Sequence, residues 1–212
     1  MKRGARPMEP TAALSAIAVG VQGRGPWIGR RQLVARFAGE AETATLFTAP
    51  AFGAEIDRIA TRSPFHSLAF GGRDPLGHAA FLFAAFDERP MRLPTMVDTD
   101  GQRPDAIPGL RQVLRLVQVS PAALAGAAIE RAIESLAVAA DVGCEHALVL
   151  DATVAGSDGQ LLRVVEQAHR ASAGTMIVVH PGPGDAASVR RWTDFLAQAA
   201  TLHDDVRVLP AL

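Results

Sequence analysis

Asp98, Asp100, Asp151 and His180 each stand at or just beyond the end of a short apolar run. Three carboxylates and an imidazole, if those ends converge, would bind Mg²⁺, Mn²⁺ or Zn²⁺. That would be the chemistry of a metal-assisted hydrolase or lyase. The same residue types also cap helices and form turns, which is an alternative role for each. No H-x-H or H-E-x-x-H pattern accompanies them. A second set is basic and glycine-rich. Gln22-Gly23-Arg24-Gly25 either cradles a ligand through backbone N–H groups or turns the chain after a strand. Arg36 either forks onto a carboxylate or makes a surface ion pair. In Gly71-Gly72-Arg73-Asp74, the two charges either pair with each other or stand solvated. His180-Pro181-Gly182-Pro183-Gly184 precedes a helix and could face a phosphate, but two prolines remove two donors and favour a rigid loop. The remaining histidines show no spacing for catalysis or ligation, and no catalytic residue is assigned.

The elements that must position these groups alternate. Strands are expected over 14–21, 32–37, 67–70, 92–97, 112–119, 146–150, 175–179 and 206–209. Helices are expected over 51–61, 76–86, 121–140 and 159–172, with a last one capped by Asp185 or Ser188 and running to about Leu202. Pro121 is placed at the first position of its helix. Phe81, Phe83 and Phe86 fall on more than one face of theirs, so that helix is deeply buried or packs on a partner. Short apolar strands alternating with helices indicate βαβ units around a parallel sheet. Ligands then bind at the carboxyl edge of the strands, where the polar residues lie. Residues 12–212 read as one α/β domain behind a flexible tail over 1–11.

Composition narrows the function classes. The chain has 212 residues, with Lys+Arg 21 against Asp+Glu 22, a net charge of −1. That balance argues against nucleic acid or an anionic membrane as the main partner. With 49% hydrophobic residues, the chain can bury a core and is not globally disordered. No apolar run is long enough to span a bilayer. Residues 12–21 fit a signal-peptide core less well than a first strand, so the expected location is cytoplasmic. Tyr is absent, which removes it as a catalytic acid, and Cys144 is the single cysteine. An internal disulfide and an all-cysteine metal cage are therefore excluded. Cys144 reads as a small buried apolar residue.

A set of motifs in fixed order carries a family resemblance. Gln22-Gly23-Arg24-Gly25-Pro26-Trp27-Ile28-Gly29-Arg30, then Val34-Ala35-Arg36-Phe37-Ala38-Gly39, resembles the opening Q-G-E-G-P-x-x-G-R and V-F-x-R-x-A-G-C of the 7-carboxy-7-deazaguanine synthases. These are radical S-adenosylmethionine enzymes of queuosine biosynthesis. Phe70-Gly71-Gly72-Arg73-Asp74-Pro75-Leu76 is similar to T-G-G-E-P-L, Val97-Asp98-Thr99-Asp100-Gly101 to E-T-N-G, and Val119-Ser120-Pro121 to V-S-P-K. Arg207-Val208-Leu209-Pro210 stands where the family has R-L-S-x-Q-x-H-K. The resemblance implies a partial (β/α) barrel of six or seven mostly parallel strands and a dimeric assembly. It also implies ligand contacts at Gln22, Arg24, Arg36, Gly71, Gly72, Arg73, Asp98, Thr99 and Ser120.

The departures bear on the chemistry. The family holds its iron–sulfur cluster with C-x3-C-x2-C after the A-G step. The corresponding positions here are Glu40, Ala44 and Phe47, so no thiolate is available there. Arg73 replaces the acidic residue that holds the amino group of S-adenosylmethionine, and Arg24 replaces a substrate-contacting Glu. Phe47-Thr48-Ala49 stands for the family's magnesium-binding C-D-T step, Ala122 for its Lys after S-P, and the terminal H-K is missing. The expectation is a radical-SAM-like pseudoenzyme without an iron–sulfur cluster and with S-adenosylmethionine binding in doubt. It would act as a binding or scaffold subunit, as a homodimer or beside a pathway enzyme, and hold a small anionic or pterin-like ligand. The alternative is the metal-dependent hydrolase or lyase built on Asp98, Asp100, Asp151 and His180.

Overall fold

The computed structural model describes residues 9–87, 91–181 and 189–209. Three strands open the chain: β1 (Thr11–Val21), β2 (Arg31–Phe37) and β3 (Thr45–Thr48). Strands and helices then alternate through α1 (Ala49–Ala60), β4 (Ser67–Gly72), α2 (Ala79–Phe86), β5 (Thr95–Thr99), β6 (Leu116–Val119) and α3 (Gly126–Asp141). β7 (Glu145–Asp151), α4 (Asp158–Ala171), β8 (Met176–His180), α5 (Val189–Ala199) and β9 (Val206–Val208) complete it. The nine strands form one sheet in the order β3-β1-β2-β4-β5-β6-β7-β8-β9. β1 is antiparallel to both β3 and β2, and every pairing from β2 onward is parallel. From β2 onward the order runs with the sequence, as in a barrel wall, but β3 and β9 remain separate edges. The expected partial barrel is therefore an open one, with seven parallel strands preceded by an antiparallel pair.

Strand alternation sorts the side chains onto two faces. Leu33, Ala35, Phe37, Leu68, Phe70, Val97, Val117, Leu148 and Val179 join the helices in the main core. The opposite, inner face carries a smaller cluster of Ala69, Met96, Leu116 and Ala147, packed with Trp27, Val34 and Met176. Caps mark where the helices begin. The Thr48 hydroxyl accepts from the Ala51 N–H at 3.4 Å, and Ser157 caps α4 by accepting from the Gln160 N–H at 3.2 Å. Gly101 closes β5 with φ +81°, and a Cβ there would stand 2.7 Å from the Ala132 Cα of α3. Only glycine lets that turn approach the helix so closely.

Several expected bounds move. β3 is a strand where none is expected. The stretch 92–94 lies outside β5 and 112–115 outside β6. Pro121 is not in a helix: α3 starts at Gly126, after an extended Ala125. The expected helix over 76–86 begins as a 3-10 turn, Pro75–His78, before α2. Phe81 and Phe86 are buried while Phe83 is 40% exposed, so the aromatic spread on α2 is mostly core packing. The proposed caps Asp185 and Ser188, and the 182–184 part of the proline–glycine loop, lie outside the described residues. Among the described residues no helix is long and apolar enough to cross a membrane.

Candidate functional site

The inner face becomes polar toward the carboxyl edge. Register places Arg36 of β2 beside Gly71 of β4, and Asp98 of β5 beside Gln118 of β6. Farther along, Asp151 of β7 stands beside His180 of β8. Gln22, Arg24, Arg36, Asp98, Gln118 and His180 line one cavity of about 440 Å³, floored by Val34, Ala69 and Met96. Gly23, Gln32, Gly71 and Gly72 also border it.

The loop between β1 and β2 closes one side. Gln22 N–H donates to Arg30 O at 3.0 Å, and Gly29 N–H to Gln22 O at 2.9 Å, which fold the loop back on itself. Trp27 then packs on the inner cluster. Gly25 has φ +91°, and a Cβ there would fall 1.9 Å from Gln118 Oε1, so the loop backbone rests directly on that side chain. Gln22 Nε2 donates to Gln118 Oε1 at 2.9 Å. Both glutamines are buried, at 7% and 1% exposure. The Gln22 side-chain oxygen, Oε1, is buried without a hydrogen-bond partner. A buried acceptor left unmade is costly, so an N–H or O–H donor arriving in the cavity would relieve it.

The charged groups are individually engaged. Asp98 Oδ1 accepts from the Ser120 hydroxyl at 2.8 Å. Asp151 Oδ1 accepts from Thr153 N–H at 2.9 Å and from its hydroxyl at 2.6 Å. Burial works to raise the Asp151 pKa, but the Thr153 bonds, with His180 and Arg24 nearby, hold it below the usual carboxylate value. Arg36 lies 3.7 Å from Glu42 in an exposed pair. The Gly39 backbone N–H, with help from Ser15 and Arg36, keeps Glu42 below its ordinary value.

The expected residues divide into those the fold gathers and those it separates. Gln22, Arg24, Arg36, Gly71, Gly72 and Asp98 share the cavity, and Ser120 reaches it through Asp98. Thr99 turns to the helix-covered side, where it is buried and accepts from Gly101 N–H at 3.2 Å. Arg73 and Asp100 border a different cleft with Asp74, Gln102, Arg103 and Asp105. Arg73 does not pair with Asp74. Arg103 does, its Nε donating to the Asp74 carboxylate at 2.7 and 2.9 Å. Asp74 also accepts from Gly77 N–H at 3.1 Å while holding φ +43°, a conformation rare for residues other than glycine.

The four residues of the metal alternative do not form a ligand set. Among the described residues no group of three His, Cys, Asp or Glu side chains could hold an ion. The register supplies the reason. Gln118 is level with Ala147, so Asp98 meets β7 four residues before Asp151, about 13 Å along the strand. Asp100 faces the other cleft altogether.

The iron–sulfur positions of the motif do not fit such a cluster either. Glu40 and Ala44 are exposed beyond β2. Phe47 lies in β3 with its ring 6.2 Å from that of Phe52. The only thiol, Cys144, is buried at the amino edge of the sheet, 3.6 Å from Leu114 O, and burial raises its pKa. Two polar cavity residues, Gln32 and Gln118, have no place in either the motif reading or the metal alternative. Gln118 carries a signal in the sequence, a glutamine set between Val117 and Val119 in a strand, whereas Gln32, beside Arg31 at the start of β2, carries none.

No family model matches the chain. A curated relative, the 7-carboxy-7-deazaguanine synthase of Methanothermobacter thermautotrophicus, is 33% identical over 98 residues, 40% of this chain. The match takes in only 38% of that synthase's length. The crystal structure of QueE from Escherichia coli superposes with a TM-score of 0.56 at 11% identity, over 94% of each chain. The two share a fold.

Proposed function

Taking the chain as a homologue of 7-carboxy-7-deazaguanine synthase that lacks the cluster cysteines, we propose that it is a radical-SAM-like pseudoenzyme. It binds a small anionic or pterin-like molecule at the carboxyl edge of the sheet, as a binding or scaffold subunit. The carrying observation is a polar pocket kept where the cluster ligands are not. Gln22 Oε1 waits buried without a donor, and Arg24 and Arg36 stand on the same cavity. A flat heterocycle with N–H groups would satisfy Gln22, and its anionic substituent would meet an arginine fork. Arg24 in place of the motif's Glu shifts the preference toward negative ligands. No thiolate stands at Glu40, Ala44 or Phe47 to hold iron.

Native mass spectrometry of protein purified from its own host, followed by anaerobic incubation with iron and sulfide, tests this. The expected result is a retained small molecule, lost in Arg36→Ala, with no stoichiometric iron or sulfide. A stoichiometric cluster after reconstitution would overturn the proposal. A retained mass unchanged by both Arg36→Ala and Gln22→Leu would remove the pocket from it.

A further inference from the structure

A larger cavity, of about 610 Å³, opens at the opposite, amino edge of the sheet. Its walls come from chain that is about to enter the strands. His66 precedes β4, residues 91–94 precede β5, residues 112–115 precede β6, and Glu145 heads β7. Thr95 borders this cavity and Asp98 the carboxyl-edge one, three steps apart along β5, about 10 Å.

Two kinds of group meet there. The first is aromatic. Trp27 packs on the inner cluster and also borders the cavity. Its loop holds it in place, the Arg30 N–H donating to Trp27 O at 3.0 Å. The His66 ring meets the indole at 70°, with centroids 5.1 Å apart. His66 is itself held, its Nδ1 lying 3.2 Å from the Ser67 hydroxyl. The two rings make a preset corner of aromatic surface, with apolar Leu93 on the same cavity. The second kind is cationic. Arg92 is exposed and makes no ion pair or hydrogen bond among the described residues. Arg115 pairs with Glu145, yet its side chain stays 66% exposed. These three are the charged residues that line the cavity, so the two arginines outweigh the one carboxylate.

We propose that this amino-edge cavity binds a nucleoside monophosphate, its base against the Trp27–His66 corner and its phosphate on Arg92 and Arg115. A flat base stacks well on an indole. A phosphate suits a guanidinium fork that no carboxylate occupies, and Arg92 supplies one. Gln112 adds an amide able to donate to, and accept from, a sugar hydroxyl or a base edge. The volume falls within the range of about 300–1,000 Å³ usual for small-ligand pockets. A bare phosphate leaves the aromatic corner unused, and a neutral aromatic leaves Arg92 unpaired. The site is separate from the carboxyl-edge cavity and shares with it only the loop after β1, which turns Gln22 and Arg24 to that cavity and Trp27 to this one.

Titration of the purified chain with AMP, followed by tryptophan fluorescence and by calorimetry, tests the proposal. The expected result is saturable binding of one AMP per chain, at least about tenfold tighter than adenosine or inorganic phosphate alone. Arg92→Ala weakens it at least about tenfold with an unchanged circular dichroism spectrum, and Arg92→Lys falls between. Absence of saturable binding overturns the proposal. So does inorganic phosphate binding as tightly as AMP, or an AMP affinity indifferent to both Arg92→Ala and Arg115→Ala. A short oligoribonucleotide that binds more tightly than AMP also overturns it, because the surface would then hold a strand. Loss of AMP binding in Arg36→Ala but not in Arg92→Ala would place the nucleotide in the carboxyl-edge cavity, with the same consequence. The retained molecule of the ligand-binding reading depends on Arg36 and AMP on Arg92, so either reading can fail without the other.

Discussion

Gly25→Ala should loosen the loop that walls the cavity, and its size can be worked from two observations. Gly25 holds φ +91°, and an L-residue in left-handed backbone costs roughly 1–2 kcal/mol. The new Cβ would also overlap Gln118 Oε1, at 1.9 Å. The tip of a glutamine can usually rotate away, but this one is buried and held by Gln22 at 2.9 Å. Moving it breaks that bond and leaves buried amide groups unmade, about 1–3 kcal/mol. The sum is about 2–5 kcal/mol, or a fall in Tm of about 4–20 °C at roughly 2–4 °C per kcal/mol for a chain of this size. Urea unfolding followed by circular dichroism measures it. In a Gln118→Ala background the overlap with Gln118 is gone and only the tip of Gln22, 2.9 Å from the new Cβ, has to give, so Gly25→Ala should cost little beyond the backbone part, about 1–2 kcal/mol. A loss under about 1 kcal/mol in the wild type, or an equal loss in both backgrounds, would refute the contact of the loop with the inner face.

Three further outcomes follow from the packing. His78 stacks on Phe37 with ring centroids 4.5 Å apart, and burial lowers its pKa below 6.5, with Arg103 adding to and Asp74 opposing the shift. The unfolded chain therefore binds this proton more readily, so stability from His78 is present above pH 6.5 and lost as pH falls toward the folded value. His78→Phe should keep the stack and flatten the slope of stability against pH in that window, measured by urea midpoints. Leu82→Ala empties a fully buried position on α2 and should cost about 2–5 kcal/mol in the same assay. The Cys144 thiol, buried and with its pKa raised, should react with a disulfide reagent at mildly alkaline pH only after denaturant is added; prompt reaction of the native protein would place it at the surface.

Much of the frame was legible from periodicity. The β4, β5, β7 and β8 cores are short apolar runs closed by Gly, Asp or His, and the parallel order follows from helices between them. α4 is an amphipathic stretch, and its observed start at Asp158, capped by Ser157, is one residue from expectation. β3 was not legible, because Thr-Leu-Phe-Thr is too short for a period and becomes a strand only through pairing with Thr11–Leu14. The start of α3 was misread because Pro121 is a good first helical residue in isolation, whereas here the chain stays outside the helix until Gly126.

In the candidate site the division is sharper. Through the family they resemble, the motifs in their order implied one site for Gln22, Arg24, Arg36, Gly71, Gly72, Arg73, Asp98, Thr99 and Ser120, of which Arg73 and Thr99 lie elsewhere; composition and spacing by themselves determined that no thiolate stands at 40, 44 or 47. Tertiary structure alone decided what each charge touches. Asp74 pairs with Arg103, 29 residues away, and not with its neighbour Arg73. Asp98 is taken by Ser120, and the register of β6 on β7 carries Asp151 past Asp98. It also decided that Gln22 of the β1–β2 loop and Gln118 of β6 meet across 96 residues and leave one buried oxygen without a donor. A strand's sequence tells which residues share a face, but the stagger between strands, set by packing of the whole sheet, tells which of them meet.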